Sequence, residues 1–100
     1  MPAEFHYRLS APVDTVWPTL APAVITVCPD ADVSEIPRLF RVSASTLYRS
    51  PTLVAMTLAP AEDDTSALRV LVTTMHITTT RTKRRLADDI ARAAAHALHR

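Results

Sequence analysis

Apolar and polar positions alternate from Glu4 to Ser10, with Phe5, Tyr7 and Leu9 on one side and His6, Arg8 and Ser10 on the other, the pattern of a half-buried strand. At Ser10-Ala11-Pro12-Val13-Asp14 the pattern becomes a helix start. Ser10 or Ala11 stands at the cap, Pro12 suits the first turn with its fixed φ, and Asp14 complements the positive helix end. Val13, Val16, Trp17 and Leu20 follow at helical spacing, and Pro18 and Pro22 are expected to hold this helix to a few turns. Ala23 to Cys28 is a short β-branched apolar run that reads as a second strand, and Pro29 to Pro37 reads as a turn and an irregular link.

From Arg38 to Tyr48 alternation returns, with Phe40, Val42 and Ala44 opposite Arg41, Ser43 and Ser45, until Arg49-Ser50-Pro51 breaks it. Thr52 to Ala59 is apolar on both sides, which predicts a strand inside a sheet. Pro60 to Thr65 is a polar surface loop. Ser66 to Thr80 then reads as one long strand with a change of phase: Leu68, Val70 and Val72 share a face, whereas Met75 and Ile77 fall on the other parity. Either a β-bulge near Thr73-Thr74 resets the register, which is the favoured reading, or the strand bends and its second half packs against something else. Thr82 to His99 is an amphipathic helix whose spacing buries Leu86, Ile90, Ala93 or Ala94, Ala97 and Leu98. Its other side carries Arg84/Asp88, Arg85/Asp89 and Asp88/Arg92 at i,i+4.

A strand must cover one face and an amphipathic helix must bury a stripe, so the simplest solution folds the terminal helix back on the sheet. The expected architecture is α+β, one domain over residues 1–100. An antiparallel sheet of four to five strands carries a short helix after its first strand, and the long C-terminal helix packs across it.

One hundred residues suffice for a single core, and a net charge of +1 generates no whole-molecule field toward nucleic acid or anionic membrane. No apolar run approaches a membrane span, so no membrane partner is expected. Met1 to His6 has neither a basic nor an apolar leader region, and the single cysteine, Cys28, allows no internal disulfide. Cytoplasmic localisation is the resulting expectation. The chain contains no glycine, which removes Gly-rich phosphate loops, the dinucleotide fingerprint and the nucleophile elbow together. Nor does any spacing present a catalytic constellation, so a non-catalytic role is expected and no cofactor is implied. His96 and His99 stand at i,i+3, but a structural metal needs two more ligands from scattered positions; no metal site is expected. Cys28 reads as a small buried hydrophobe.

The run Tyr7-Arg8-Leu9-Ser10-Ala11-Pro12-Val13-Asp14-Thr15-Val16-Trp17 resembles the opening of the START-like, or SRPBCC, helix-grip domains. There a first strand ends in Ala-Pro and a short helix with Val-Trp follows. The resemblance implies a curved antiparallel sheet wrapped around a long C-terminal helix, with an apolar ligand held between them. Its functional implication is a small module that binds an apolar small molecule or a protein partner. Thr82-Lys83-Arg84-Arg85-Leu86-Ala87 with Ala93-Ala94-Ala95 resembles the last helix of double-stranded-RNA-binding domains, which implies nucleic-acid or phosphate binding instead.

Two candidate sites follow. Tyr7, Trp17, Tyr48, Met56 and Met75 are the side chains able to line an apolar pocket with polar tips, and equally the large members of an alanine-rich core. Arg81, Lys83, Arg84 and Arg85 cluster where a helix begins, a candidate anion site that Asp88 and Asp89 could neutralise. A homodimer is also expected, through an edge of the long strand or the face around Met75 and Ile77.

Overall fold

The computed structural model describes residues 3–29, 31–36, 39–47, 50–74 and 79–99. Along them the chain forms β1 (Ala3–Leu9), α1 (Val13–Val27), β2 (Asp32–Ile36), β3 (Leu39–Leu47), β4 (Ser50–Pro60), β5 (Ser66–Thr74) and α2 (Thr80–Leu98). The class is α+β, as the pattern predicts. The strands lie in one antiparallel sheet in the order β1-β5-β4-β3-β2. β2 to β5 run as a meander of neighbours, and α1 carries the chain from β1 at one edge to β2 at the other.

Pairing aligns the apolar positions into rows across the sheet. Tyr7, Leu68 and Leu58 form one row, Phe5, Val70 and Met56 the next, and Ala3, Val72 and Val54 a third. Because side chains alternate faces along a strand, all of these point to the same inner face. Val54, Met56, Leu68, Val70 and Val72 are almost wholly buried there. The helices fill the space above: α1 with Val16, Leu20, Ala23 and Val24, and α2 with Leu86, Ala87, Ile90, Ala91 and Ala94. Each large aliphatic side chain buried in this way contributes roughly 1.5–3 kcal/mol. Alanine at three of the six buried α2 positions lets that helix approach closely.

Several expectations need correction. Ala23 to Cys28 is not a strand: α1 runs through Pro18 and Pro22 to Val27. Val16, Leu20, Ala23 and Val24 share a helical face and are all buried, so packing overrides local β-branched propensity. The prolines are tolerated because both lie on the exposed side of α1. The Asp14 and Pro18 carbonyls, which lose their i+4 amide partners, can therefore be met by water. The N-cap is Pro12 rather than Ser10 or Ala11, its carbonyl accepting from the Thr15 and Val16 amides at 3.0 Å each.

The second correction concerns Asp32 to Ile36, read as an irregular link. It is edge strand β2, paired with β3 from Asp32↔Ser43 to Ile36↔Leu39. A polar sequence is acceptable in a strand with one neighbour. Third, the described part of β5, Ser66–Thr74, contains no bulge. It pairs with β4 residue for residue from Pro60↔Ser66 to Thr52↔Thr74, and the irregularity falls instead between Ala44 and Leu47 of β3. The inner-face parity simply continues to Thr74, which is itself buried. Fourth, β5 lies between β1 and β4 and so offers no edge for a second copy. Met75 and Ile77 lie outside the described residues.

The absence of glycine is felt at the β4–β5 loop, where Asp63 and Asp64 take up the left-handed region with φ of 57° and 55°. Aspartate tolerates this conformation better than most residues. The loop closes on itself: Ala61 N–H donates to the Thr65 carbonyl at 2.9 Å, and Thr65 Oγ1 to the Glu62 carbonyl at 2.5 Å.

Candidate functional site

Two grooves on the described surface hold side chains of the candidate sets. The first lies along β1 where α2 begins and is lined by Glu4, Phe5, His6, Tyr7, Arg84 and Asp88, with a volume of about 350 Å³. Capping sets the phase of α2 here: the Thr79 Oγ1 accepts the Thr82 amide at 3.2 Å, so the helix starts at Thr80 and turns Arg84 and Asp88 toward β1. The Arg84 guanidinium stands 5.7 Å from the centre of the Phe5 ring, a cation–π contact. Tyr7 Oη donates to Asp88 Oδ1 at 2.5 Å. Partial burial raises the Tyr7 hydroxyl above its usual pKa, and the hydrogen bond and negative charge of Asp88 add to this, with Arg84 opposing. Tyr7 therefore stays protonated and acts as a fixed donor. On the outer face Glu4 pairs with Arg69, and His6 Nε2 lies 3.2 Å from the same Glu4 Oε1.

The second groove, about 270 Å³, lies beside the first turns of α1. Val13, Asp14, Trp17 and Pro18 line it from the helix, and Leu58 from β4. Helical spacing puts Val13 and Trp17 on one side, at i and i+4, and the indole is half-buried against the core. This end of the fold is tied together by Ser66 Oγ, which donates to the Ala11 carbonyl at 2.6 Å. The hydroxyl holds β5 to the turn that launches α1.

Of the sequence candidates, Tyr7 and Trp17 line different grooves. Tyr7 and Leu58, a strand residue of each groove, are separated by Leu68 of β5 in one row. Met56 has no exposed surface and belongs to the core. Tyr48 and Met75 lie outside the described residues. The basic cluster is divided: Lys83 turns inward and is buried, while Arg81, Arg84 and Arg85 are exposed. Asp88, expected to neutralise the cluster, is hydrogen-bonded to Tyr7, and Asp89 lies 3.9 Å from Arg92. Cys28 is buried at the end of α1, and no three His, Cys, Asp or Glu side chains gather at metal-binding distance among the described residues.

Sequence reasoning missed Val13, Pro18 and Leu58 as a groove lining. The helical spacing of Val13 with Trp17 was visible, but their meeting with Leu58 depends on how α1 lies against β4. It also missed the buried polar positions Thr52, Ser66, Thr74 and Lys83. Their signal was parity, since Ser66 and Thr74 share the phase of Leu68, Val70 and Val72.

No protein-family profile matches this sequence, and no curated protein matches it. Solved structures do match in shape. A protein from Chromobacterium violaceum aligns with a TM-score of 0.68 at 13% identity, over 99% of this chain and 97% of its own. A conserved protein from Geobacillus kaustophilus aligns with a TM-score of 0.65 at 8% identity, over 99% and 95%. A START superfamily protein from Mycobacterium smegmatis aligns with a TM-score of 0.57 at 9% identity, over 98% and 97%. Identities this low carry the fold alone, and the coverage shows that it is the whole fold. A sheet covered on its inner face by α1 and a C-terminal α2, matched end to end by these structures, gives this chain a START-like fold.

Proposed function

We propose that this chain is a non-catalytic START-like binding module that takes a small apolar molecule in the groove between α1 and β4. The observation that carries the reading is the position of Trp17, whose half-buried indole lines an open groove with Val13, Pro18 and Leu58. A flat ring or short aliphatic chain stacked on the indole would bury apolar surface on both sides, and Asp14 at the rim would favour a ligand with a donor group. The groove's volume, about 270 Å³, is near the lower end of ligand sites and fits one or two rings rather than a long lipid. The START-like fold supports a binding role, and the close burial of Val54, Met56, Leu68, Val70 and Val72 on the inner face favours the surface groove over the space beneath α2.

Trp17 is the only tryptophan in the chain, so its emission reports on this groove alone. Titration with naphthol is expected to shift or quench that emission saturably. Val13→Asp, which places a charge on the groove wall, is expected to weaken binding by roughly tenfold or more. Unchanged Trp17 emission across the solubility range of the probe would defeat the reading, as would equal affinity in a folded Val13→Asp variant.

A further inference from the structure

Among the described residues β1 pairs on one side only, with β5, and it is a free edge seven residues long. Nothing in its backbone blocks a further strand: no proline or lysine interrupts Ala3 to Leu9, and its pairing with β5 is regular throughout. Its charges are ordered, with Glu4 near one end, Arg8 near the other and His6 at the centre, all exposed on the outer face. We propose that this edge binds a second copy of itself, β1 pairing antiparallel with the partner's β1 about a two-fold axis at His6.

That register is the one in which all seven residues pair. It sets Ala3 against the partner's Leu9, Glu4 against the partner's Arg8, Phe5 against the partner's Tyr7, and His6 against the partner's His6. On the outer face Glu4 then lies between its own Arg69 and the partner's Arg8, so each glutamate meets two cations. The same register is complementary on the other side. Arg84 stands over Phe5 and Asp88 holds Tyr7, so facing Phe5 with the partner's Tyr7 brings Arg84 toward the partner's Asp88. The groove of about 350 Å³ between β1 and α2 is the space the partner's edge would enter. Four oppositely charged pairs thus arise from one two-fold operation, which is how an isologous interface is built. The other edge offers no such match, because the only charged residues of β2, Asp32 and Glu35, are both acidic. The paired sheets would form one continuous sheet of two protomers, and no residue of β1 lines the Trp17 groove.

Sedimentation velocity on the full chain tests this, with charge exchange as the decisive arm. The unaltered protein is expected to dimerise at micromolar concentrations. Arg8→Glu turns two attractive pairs into repulsive ones and leaves the Glu4–Arg69 pair intact; Glu4→Arg also makes both pairs repulsive, and in addition gives up the contact with Arg69 within its own chain. Each is expected to weaken the dimer by roughly tenfold or more. An equimolar mixture of the two variants is expected to dimerise again, since one edge then carries two cations and the other two anions. That recovery also demonstrates that both variants are folded. A protein that stays monomeric up to about 100 μM overturns the proposal, because a full edge pairing should reach at least that affinity. So does a dimer indifferent to both substitutions, and so does a mixture that fails to reassociate when both variants keep their helical circular dichroism.

Discussion

Replacing Pro22 by alanine should stabilise this protein, and the size of the effect decides whether the segment is helix or strand. Pro22 sits in the tenth position of the fifteen-residue α1, with its ring exposed. Inside a helix proline is about 3 kcal/mol worse than alanine, from the missing amide and the clash with the preceding turn. Alanine restores an N–H that can donate to the Pro18 carbonyl, and the Thr26 Oγ1 bond to the residue-22 carbonyl, 2.9 Å long, is untouched. Against this, proline restricts the unfolded chain, an advantage of about 1 kcal/mol that the substitution gives up. The difference is a net gain of about 2 kcal/mol, which in a domain of this size raises the melting temperature by about 10 °C. Thermal unfolding followed by far-ultraviolet circular dichroism measures it. If Ala23 to Cys28 were a strand entered through a proline turn, the same substitution would lose the unfolded-state advantage and lower the melting temperature. A fall, or no change, would refute the helical account of tolerated exposed prolines.

Ile90→Ala removes a fully buried side chain from the face of α2 that covers the sheet and should cost about 2–5 kcal/mol in urea unfolding; a loss under about 1 kcal/mol would mean that α2 is not packed there. Tyr7→Phe should cost about 1 kcal/mol by removing the bond to Asp88. The raised Tyr7 pKa means that the folded state holds this proton more tightly than the unfolded state, whose value is near 10.0. The resulting stabilisation is fully present below that pH and is lost as pH climbs past it. Tyrosinate absorbance in a Tyr48→Phe background should accordingly rise at a pH above that of free tyrosine, and a normal titration would contradict the Tyr7–Asp88 pairing. Asp64→Gly, at φ 55°, should be neutral or stabilising by up to about 1 kcal/mol, whereas Asp64→Val should destabilise by about 1–2 kcal/mol, both read from thermal midpoints.

Where one face of an element is buried, the period of the sequence was enough to find it. Phe5, Leu9, Leu68, Val70 and Val72 were placed correctly by alternation, and Leu86 and Ile90 by helical spacing, because burial on one side leaves a strict pattern. Ala23 to Cys28 failed because Ala23, Val24 and Val27 fit a buried helix face as well as a short strand, and the two prolines pointed the wrong way. Their harmlessness depends on which side of α1 faces water, a property of the packed fold. β2 failed for the opposite reason: Asp32, Ser34 and Glu35 show no apolar period, and only pairing with β3 makes them a strand. Of the candidate site, Trp17 was legible as an amphipathic ring at helical spacing. Its groove was not, since Leu58 is forty-one residues away along the chain. Lys83 looked like one more cation of a surface cluster, and the phase that buries it is set by the Thr79 cap.

The central claim, that the groove between α1 and β4 is where this START-like chain takes its ligand, is tested most directly by methyl-resolved nuclear magnetic resonance during titration with naphthol. Val13 and Leu58 line the groove, whereas Val54, Val70 and Val72 lie buried on the inner face. The account predicts saturable shifts at the methyls of Val13 and Leu58, in step with the change in Trp17 emission, and stationary resonances for Val54, Val70 and Val72. Shifts centred on those three valines, with Val13 and Leu58 unmoved, would place the ligand beneath α2 and contradict it.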